Sequence, residues 1–247
     1  MLKDKNIVIT GCNKGIGKAA LELCAKNGAN IIAMNRTQDS ASQKELENLV
    51  KKHNVNLAMF YADFSNEAEV MNAANEILKL KVALDGIVNN VGIVGEARLF
   101  SMTKIEEIKE VFQVNFFSPL LLTQRLLKNM IRHKSGSIVN LSSVAALDGI
   151  PGSLEYVSSK TSLIGATKKL ASELAPFHIR VNALAPSITD TNMPMLMSDC
   201  LKEKTIQNVA LKRMATPNEI AEVIVFLLSS KSSFINGEVI RVDGGKA

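Results

Sequence analysis

Tyr156 and Lys160 stand four residues apart in a stretch of helical character, so both lie on one face and can reach a single site. A phenol ordinarily titrates near ~10, and a neighbouring ammonium favours its anion, so Lys160 is expected to lower the Tyr156 pKa. Such a phenol gives a proton to an oxygen that is gaining electrons and takes it back in the reverse direction. Thirteen residues upstream, Ser143 follows the apolar run Ile138-Val139-Asn140-Leu141. From the end of a strand its hydroxyl can hydrogen-bond the same oxygen as charge develops. Ser142 is the neighbouring candidate.

A second constellation lies near the start of the chain. Thr10-Gly11-Cys12-Asn13-Lys14-Gly15-Ile16-Gly17 follows a short apolar run and precedes a helical pattern, with the spacing TGxxxGxG. Its glycines let the backbone turn tightly, and the helix N-terminus offers unpaired N–H groups and partial positive charge to a pyrophosphate. Taken alone, the cluster also suits an ordinary turn. In proteins that select NAD, an acid ends the second strand and accepts from the adenosine ribose. Here that position is Asn35, followed by Arg36, with Lys14 in the glycine turn. Two cations without the acid suit the extra phosphate of NADP(H).

Short Val- and Ile-rich runs alternate with helical periods, the pattern of repeated βα units around a buried parallel sheet. Strands are expected at Asn6 to Thr10, Asn30 to Met34, Asn56 to Ala62, Gly86 to Asn89, Ser137 to Leu141, Ile179 to Leu184 and Val239 to Val242. The first helix carries Ile16, Ala20, Leu23 and Cys24 on one stripe and ends at Asn27-Gly28. Further helices are expected at about Ser42 to His53, Glu67 to Leu80, Ile105 to Phe112, Pro119 to His133, Glu155 to Ala175 and Pro217 to Ser229. Right-handed crossovers then give an α/β fold with a doubly wound sheet of seven parallel strands flanked by helices. Ligands sit beyond the carboxyl ends of such strands, where both constellations fall.

With 47% apolar residues and charges of both signs spread along 247 positions, the chain suits one extended core rather than disorder. The net charge of +5 attracts anions, but no basic run is interleaved with aromatics and Trp is absent, so no nucleic-acid partner is expected. Ile7 to Ile9 is too short for a signal peptide or a membrane span, and three cysteines without CxxC spacing suit a reducing, cytoplasmic setting. His53, His133 and His178 are scattered, so no metal is expected.

The TGxxxGIG form has company in order along the chain: Asp63, Asn89-Asn90-Val91-Gly92, Asn115, Ser143, Tyr156, Lys160, Pro186 and the tail Val242-Asp243-Gly244-Gly245. On these motifs the whole chain resembles the short-chain dehydrogenase/reductase family. The resemblance implies one Rossmann-type domain over residues 1–247, with a cofactor-binding part to about residue 140 and a catalytic part after it. It implies that Gly11, Asn13, Lys14, Gly15, Ile16, Gly17, Asn35, Arg36, Asp63, Phe64, Asn90, Val91, Gly92, Pro186, Thr189 and Thr191 line the cofactor. Asp63 would hold the adenine amino group; an Asx-type cap with Ser65 and Asn66 is its other reading. Lys160 would hold the nicotinamide ribose as well as acting on Tyr156. The family spacing selects Ser143 over Ser142, makes Asn115 the fourth member of a catalytic set, with a water-linked proton path to Lys160, and implies a homotetramer.

Two departures stand out. Pro186-Ser187 replaces the family's Pro-Gly, and Val91 replaces an alanine, both beside the cofactor. The overall pattern is most similar to 3-oxoacyl-[acyl-carrier-protein] reductases, including Leu211-Lys212-Arg213-Met214 and Ile235-Asn236-Gly237-Glu238. Hydride transfer between NADP(H) and a 3-oxoacyl thioester is the implied reaction. Arg125, Lys128, Arg132, His133 and Lys134 can attract an acidic carrier protein, although Phe177 stands where such reductases place a basic residue. Met193, Met195, Leu196 and Met197 offer an adaptable apolar lid, or simply core packing. A polyol, steroid or quinone substrate, or a non-catalytic NADP(H) sensor, is the alternative.

Overall fold

Strands covered on both faces must be apolar throughout, and β1 (Asn6–Thr10) meets that demand with Ile7, Val8 and Ile9 fully buried. In the computed structural model, which describes residues 1–96, 98–149, 153–191 and 199–246, β1 leads into α1 (Gly15–Lys26), β2 (Asn30–Asn35), α2 (Ser40–Lys51), β3 (Leu57–Tyr61) and α3 (Glu67–Lys79). The chain then returns past β1 to form β4 (Gly86–Asn89), α4 (Ile105–Phe112), α5 (Ser118–His133), β5 (Gly136–Leu141), α6 (Val144–Asp148), α7 (Leu154–Leu174), β6 (Ile179–Pro186), α8 (Asp199–Gln207), α9 (Pro217–Leu228) and β7 (Val239–Val242).

The seven strands form one sheet in the order β3-β2-β1-β4-β5-β6-β7, every neighbouring pair parallel. β1 is therefore the switch point, with Val8 beside Ile32 of β2 on one side and Ile87 of β4 on the other. One apolar layer joins the sheet to α1, α2 and α9; the other joins it to α3, α5 and α7. α9 starts from a capping box between Thr216 and Glu219, and its stripe of Ile220, Ala221, Ile224 and Val225 packs on α1.

All seven expected strands are present, with shifted ends. β3 lacks Asn56 and Ala62, whereas β6 runs on to Pro186 because Pro186 still pairs with Val242 of β7. Two helices were not read from the sequence. α6 is five residues long, too short for a period to show, and α8 buries no residue among its nine, so it has no apolar stripe. Between α4 and α5 the chain makes a π turn over Gln113–Phe117, in which Ser118 N–H reaches back to the Gln113 carbonyl.

Gly86 sits where β4 passes under α9: a Cβ there would lie 2.7 Å from Leu228 Cδ2, 2.8 Å from Ile7 Cδ1 and 3.3 Å from the Ser137 carbonyl oxygen. Gly86→Ala is expected to destabilise the fold by about 1–3 kcal/mol through overpacking. A fall in the urea midpoint with an unchanged slope checks it; an unmoved midpoint refutes it.

Candidate active site

At the carboxyl ends of β1 and β4 the strands part, and Thr10 and Asn90 hold the mouth of the crevice in shape. The Thr10 hydroxyl donates to the Val88 carbonyl at 3.2 Å and accepts from the Asn90 and Val91 N–H groups at 2.9 and 3.1 Å. Asn90 Nδ2 donates in turn to the carbonyls of Thr10 and Gly11, at 2.8 and 3.2 Å. Gly11 and Gly15 adopt left-handed φ of 74° and 56°. A Cβ on Gly17 would strike the Gly11 carbonyl and lie 2.6 Å from Asn90 Nδ2. α1 begins at Lys14 with no side-chain cap and no acid in its first turn, so its leading N–H groups face the crevice unclaimed by a side chain. Glycines without room for a Cβ and an uncapped helix start are what a bound pyrophosphate requires; the residues present fit a dinucleotide.

Asn35 does not reach outward. It is buried, and its Oδ1 accepts from Cys12 N–H at 2.7 Å, bracing the glycine turn from below. Arg36 and Lys14 are exposed. Arg36 lies close enough to Asp63 to help hold that carboxyl below its usual range, after the larger effects of the Ser65 N–H and hydroxyl, both 2.8 Å from Asp63 Oδ1. The Asx-type turn at Asp63 is thus real, while the cap of α3 is Asn66. Phe64 turns its ring into the core, and its carbonyl accepts from the Ser118 hydroxyl; only backbone is left to a ligand. Asn13 and Ile16 are partly buried in the glycine turn, and Val91 packs beside Gly11, whose Cβ would lie 3.3 Å from Val91 Cγ2.

Across the crevice, Pro186 ends β6 and the Ser187 N–H donates to the Val242 carbonyl at 3.1 Å. The Thr189 hydroxyl folds back onto the Ser187 carbonyl at 2.9 Å, and Thr191 lies over Gly15, where a Cβ would come within 3.0 Å of its methyl. Met193, Met195, Leu196 and Met197 lie outside the described residues.

Ser143, Tyr156 and Lys160 come together at the end of β5. Ser143 caps α6, accepting from Ala145 N–H at 3.2 Å, and its hydroxyl lies near enough to the Tyr156 phenol to favour the anion. Ser142 instead donates to the Lys160 carbonyl at 2.9 Å, which points it into the structure and away from the site. Lys160 is buried, its Nζ 6.0 Å from the Tyr156 ring centre and donating to the Leu141 carbonyl at 2.7 Å. Burial pushes the Tyr156 phenol above its ordinary value, partly offset by Ser143. The expected lowering by Lys160 is therefore not found: the ammonium is turned to a carbonyl, and burial pulls its own pKa down to about 8.

Asn115 sits in the π turn with its amide fully engaged. Its Oδ1 accepts from Ile93 N–H at 2.8 Å, and its Nδ2 donates to the Ile93 carbonyl at 2.9 Å and to Ser159 Oγ at 3.0 Å. It borders Lys160 across Gly92, whose added Cβ would lie 3.0 Å from Lys160 Nζ and 3.4 Å from Asn115 Oδ1. Sequence reasoning passed over Thr10, the Leu141 carbonyl and Ser159. Thr10 was visible as the first residue of the motif, and Ser159 as the neighbour of Lys160; a backbone acceptor leaves no mark in a sequence.

A switch-point crevice with this set of side chains defines a dinucleotide-dependent enzyme of the doubly wound class. Residues 11–247 match the family model described as enoyl-(acyl carrier protein) reductase, and the chain belongs to the short-chain dehydrogenase/reductase family, oxidoreductases of carbonyl and alcohol groups that use a nicotinamide cofactor. It is 36% identical over 244 residues to the 3-oxoacyl-[acyl-carrier-protein] reductase FabG of Aquifex aeolicus, covering 99% of this chain and 98% of that one. The FabG protein of Thermotoga maritima is likewise 36% identical over 246 residues, covering 99% and 98%. Among solved structures, levodione reductase superposes with a TM-score of 0.92 at 29% identity, covering 99% of this chain and 98% of that one. A chain from Beutenbergia cavernae assigned as an NAD(P)-dependent gluconate 5-dehydrogenase, with NADP bound at low occupancy, gives 0.92 at 30%, covering 99% and 97%.

The depressed Lys160 pKa carries a stability signature. Between about 8 and the ordinary lysine value, the unfolded chain binds the proton that the folded chain has released, so this site's contribution to stability rises with pH. Lys160→Met lacks that dependence. Wild type is expected to gain on the variant as pH is raised from near neutral toward about 10. Urea unfolding of both proteins at the two pH values checks this, and a constant gap between them refutes the buried ammonium.

Proposed function

We propose that this chain reduces 3-oxoacyl thioesters to 3-hydroxyacyl thioesters with NADPH. The observation that carries the reading is the joined set of Ser143, Tyr156 and Lys160 at the end of β5, beside the glycine turn. When bound, NADPH supplies the hydride to the carbonyl carbon. Tyr156 gives its proton to the carbonyl oxygen, Ser143 holds that oxygen by a hydrogen bond as it gains charge, and Lys160 steadies the phenolate left behind. Asn115, through Ile93 and Ser159, keeps the loop after β4 and the catalytic helix in register.

The choice of NADP(H) rests on Arg36 and Lys14, both exposed, and on Asn35, which puts no carboxylate in the way of a 2′-phosphate and spends its oxygen on Cys12. The thioester rests on the FabG relatives. The basic residues of α5 and the adjoining turn, Arg125, Lys128, Arg132, His133 and Lys134, face an acidic acyl carrier protein in this reading, with Arg125 already braced by Asn75 Oδ1 at 2.7 Å. A homotetramer would cover Leu99, Phe100, Met102, Ile105 and Phe117, which are exposed around α4. The setting is the cytosol; no helix among the described residues is long and apolar enough to cross a membrane. The likeness to levodione reductase and to the gluconate 5-dehydrogenase assignment favours a second reading, a small cyclic ketone or a polyol.

Three assays separate these readings. NADPH oxidation, followed by absorbance, is expected with acetoacetyl-CoA and to fall by roughly 10²–10⁴-fold in Tyr156→Phe. Turnover of cyclic ketones with NADPH, or of polyols with NADP+, but not of the thioester moves the substrate to the second reading, and NADPH binding without any turnover makes the chain a sensor. Arg36→Ala is expected to cut the preference for NADPH over NADH by about ten- to a hundredfold, and an unchanged preference refutes the phosphate assignment. Reduction needs the Lys160 ammonium, so kcat/KM is expected to fall as pH rises through about 8, and Lys160→Arg to move that break upward. A profile flat through that region overturns the role given to Lys160.

A further inference from the structure

A helix of five residues cannot fix its own direction through internal hydrogen bonds, so α6 must take its orientation from what its ends touch. Its N-cap is Ser143. Its last residue, Asp148, meets Arg241 of β7 in a two-pronged bridge, Nη1 to Oδ1 at 3.0 Å and Nη2 to Oδ2 at 2.8 Å. The Nε of the same guanidinium donates to Asp243 Oδ2 at 2.9 Å, and Asp243 Oδ1 accepts from Gly245 N–H at 3.1 Å. Arg241 itself is fixed by the sheet, paired with Ala185 of β6. The bridge thus spans 93 residues of sequence and ties the far end of α6 to the edge strand of the sheet. Its Ala146 carbonyl accepts from Thr161 Oγ1 of α7 at 3.2 Å.

We propose that Arg241, with Asp148 and Asp243, is a positioning group for Ser143, setting the tilt of α6 and so the place of the Ser143 hydroxyl beside Tyr156. Isolated surface ion pairs hold little, but a planar fork shared by two carboxylates fixes direction as well as distance. Lysine at 241 would keep the charge and lose the fork. The inference rests on the catalytic role given to Ser143, and its test includes a readout that needs no turnover.

The chain has two tyrosines, Tyr61 and Tyr156, so Tyr61→Phe leaves Tyr156 as the sole carbon-13 signal in protein labelled at tyrosine Cζ. Near neutral pH, Ser143→Ala is expected to shift that resonance by removing the hydroxyl that favours the phenol's anion. Arg241→Met and Asp148→Asn are expected to shift it in the same direction, and Arg241→Met added to Ser143→Ala to move it no further. With acetoacetyl-CoA and NADPH, Arg241→Met lowers kcat roughly tenfold and leaves the NADPH dissociation constant unchanged. The exchanged pair Asp148→Arg with Arg241→Asp recovers part of the loss. A Tyr156 signal unmoved in Arg241→Met, with folding verified by an unchanged far-ultraviolet spectrum, overturns the inference whatever the substrate proves to be. A shifted signal in a protein that turns over no thioester leaves the positioning intact and sinks only the substrate reading.

Discussion

The site depends first on the parting of two parallel strands. β1 and β4 are neighbours up to Ile9 and Val88, and beyond them the backbone groups that would have continued the ladder need other partners. Thr10 and Asn90 supply them, one hydroxyl serving three backbone groups and one amide holding two carbonyls. Because these bonds close the mouth of the crevice with short polar side chains, the glycine turn can rise over it, with Asn35 underneath. α1 can then approach so near that Gly17 has no room for a Cβ. The shape of the crevice is therefore a consequence of how the sheet ends.

The surroundings of Tyr156 are built on a different principle, a buried polar ladder between layers. Thr123 on α5, Asn89 on β4, Asn140 on β5 and Thr167 on α7 are joined by bonds of 3.0, 2.8 and 2.8 Å. About two turns earlier on the same helix, Ser159 meets Asn115 and Lys160 meets the Leu141 carbonyl. Fully buried polar contacts hold only in one register, since each displaced partner would be left without water. That fixes α7 along its axis, and with it the height of Tyr156 above the sheet.

Much of this was legible in the sequence, and for identifiable reasons. The Val and Ile runs of β1, β4 and β5 must be continuous because both faces are covered, so they stand out. The spacing of Tyr156 and Lys160 is local, and a helix converts local spacing directly into a shared face. What did not show were partners that depend on the tertiary path. Asn35 was read as facing a ligand, yet its side chain turns inward to Cys12, a contact only the folded turn creates. Asn115 stood out only as a member of the catalytic set, and nothing in Gln113 to Phe117 marks the π turn that holds it. Arg241 and Asp148 belong to segments far apart in the chain, and each reads as an ordinary surface charge until β7 is laid beside β6.

The protonation states follow from burial more than from charge pairing. Without a neighbouring cation turned toward it, the Tyr156 phenol holds its proton more firmly than free tyrosine, and only Ser143 works against that. The phenol is therefore protonated at neutral pH and a weaker acid than free tyrosine until something steadies its anion. Lys160, meanwhile, stays charged below about 8 with its ammonium donating to the Leu141 carbonyl, and a shift of that ammonium toward the phenol would be what stabilises the anion once the proton has gone.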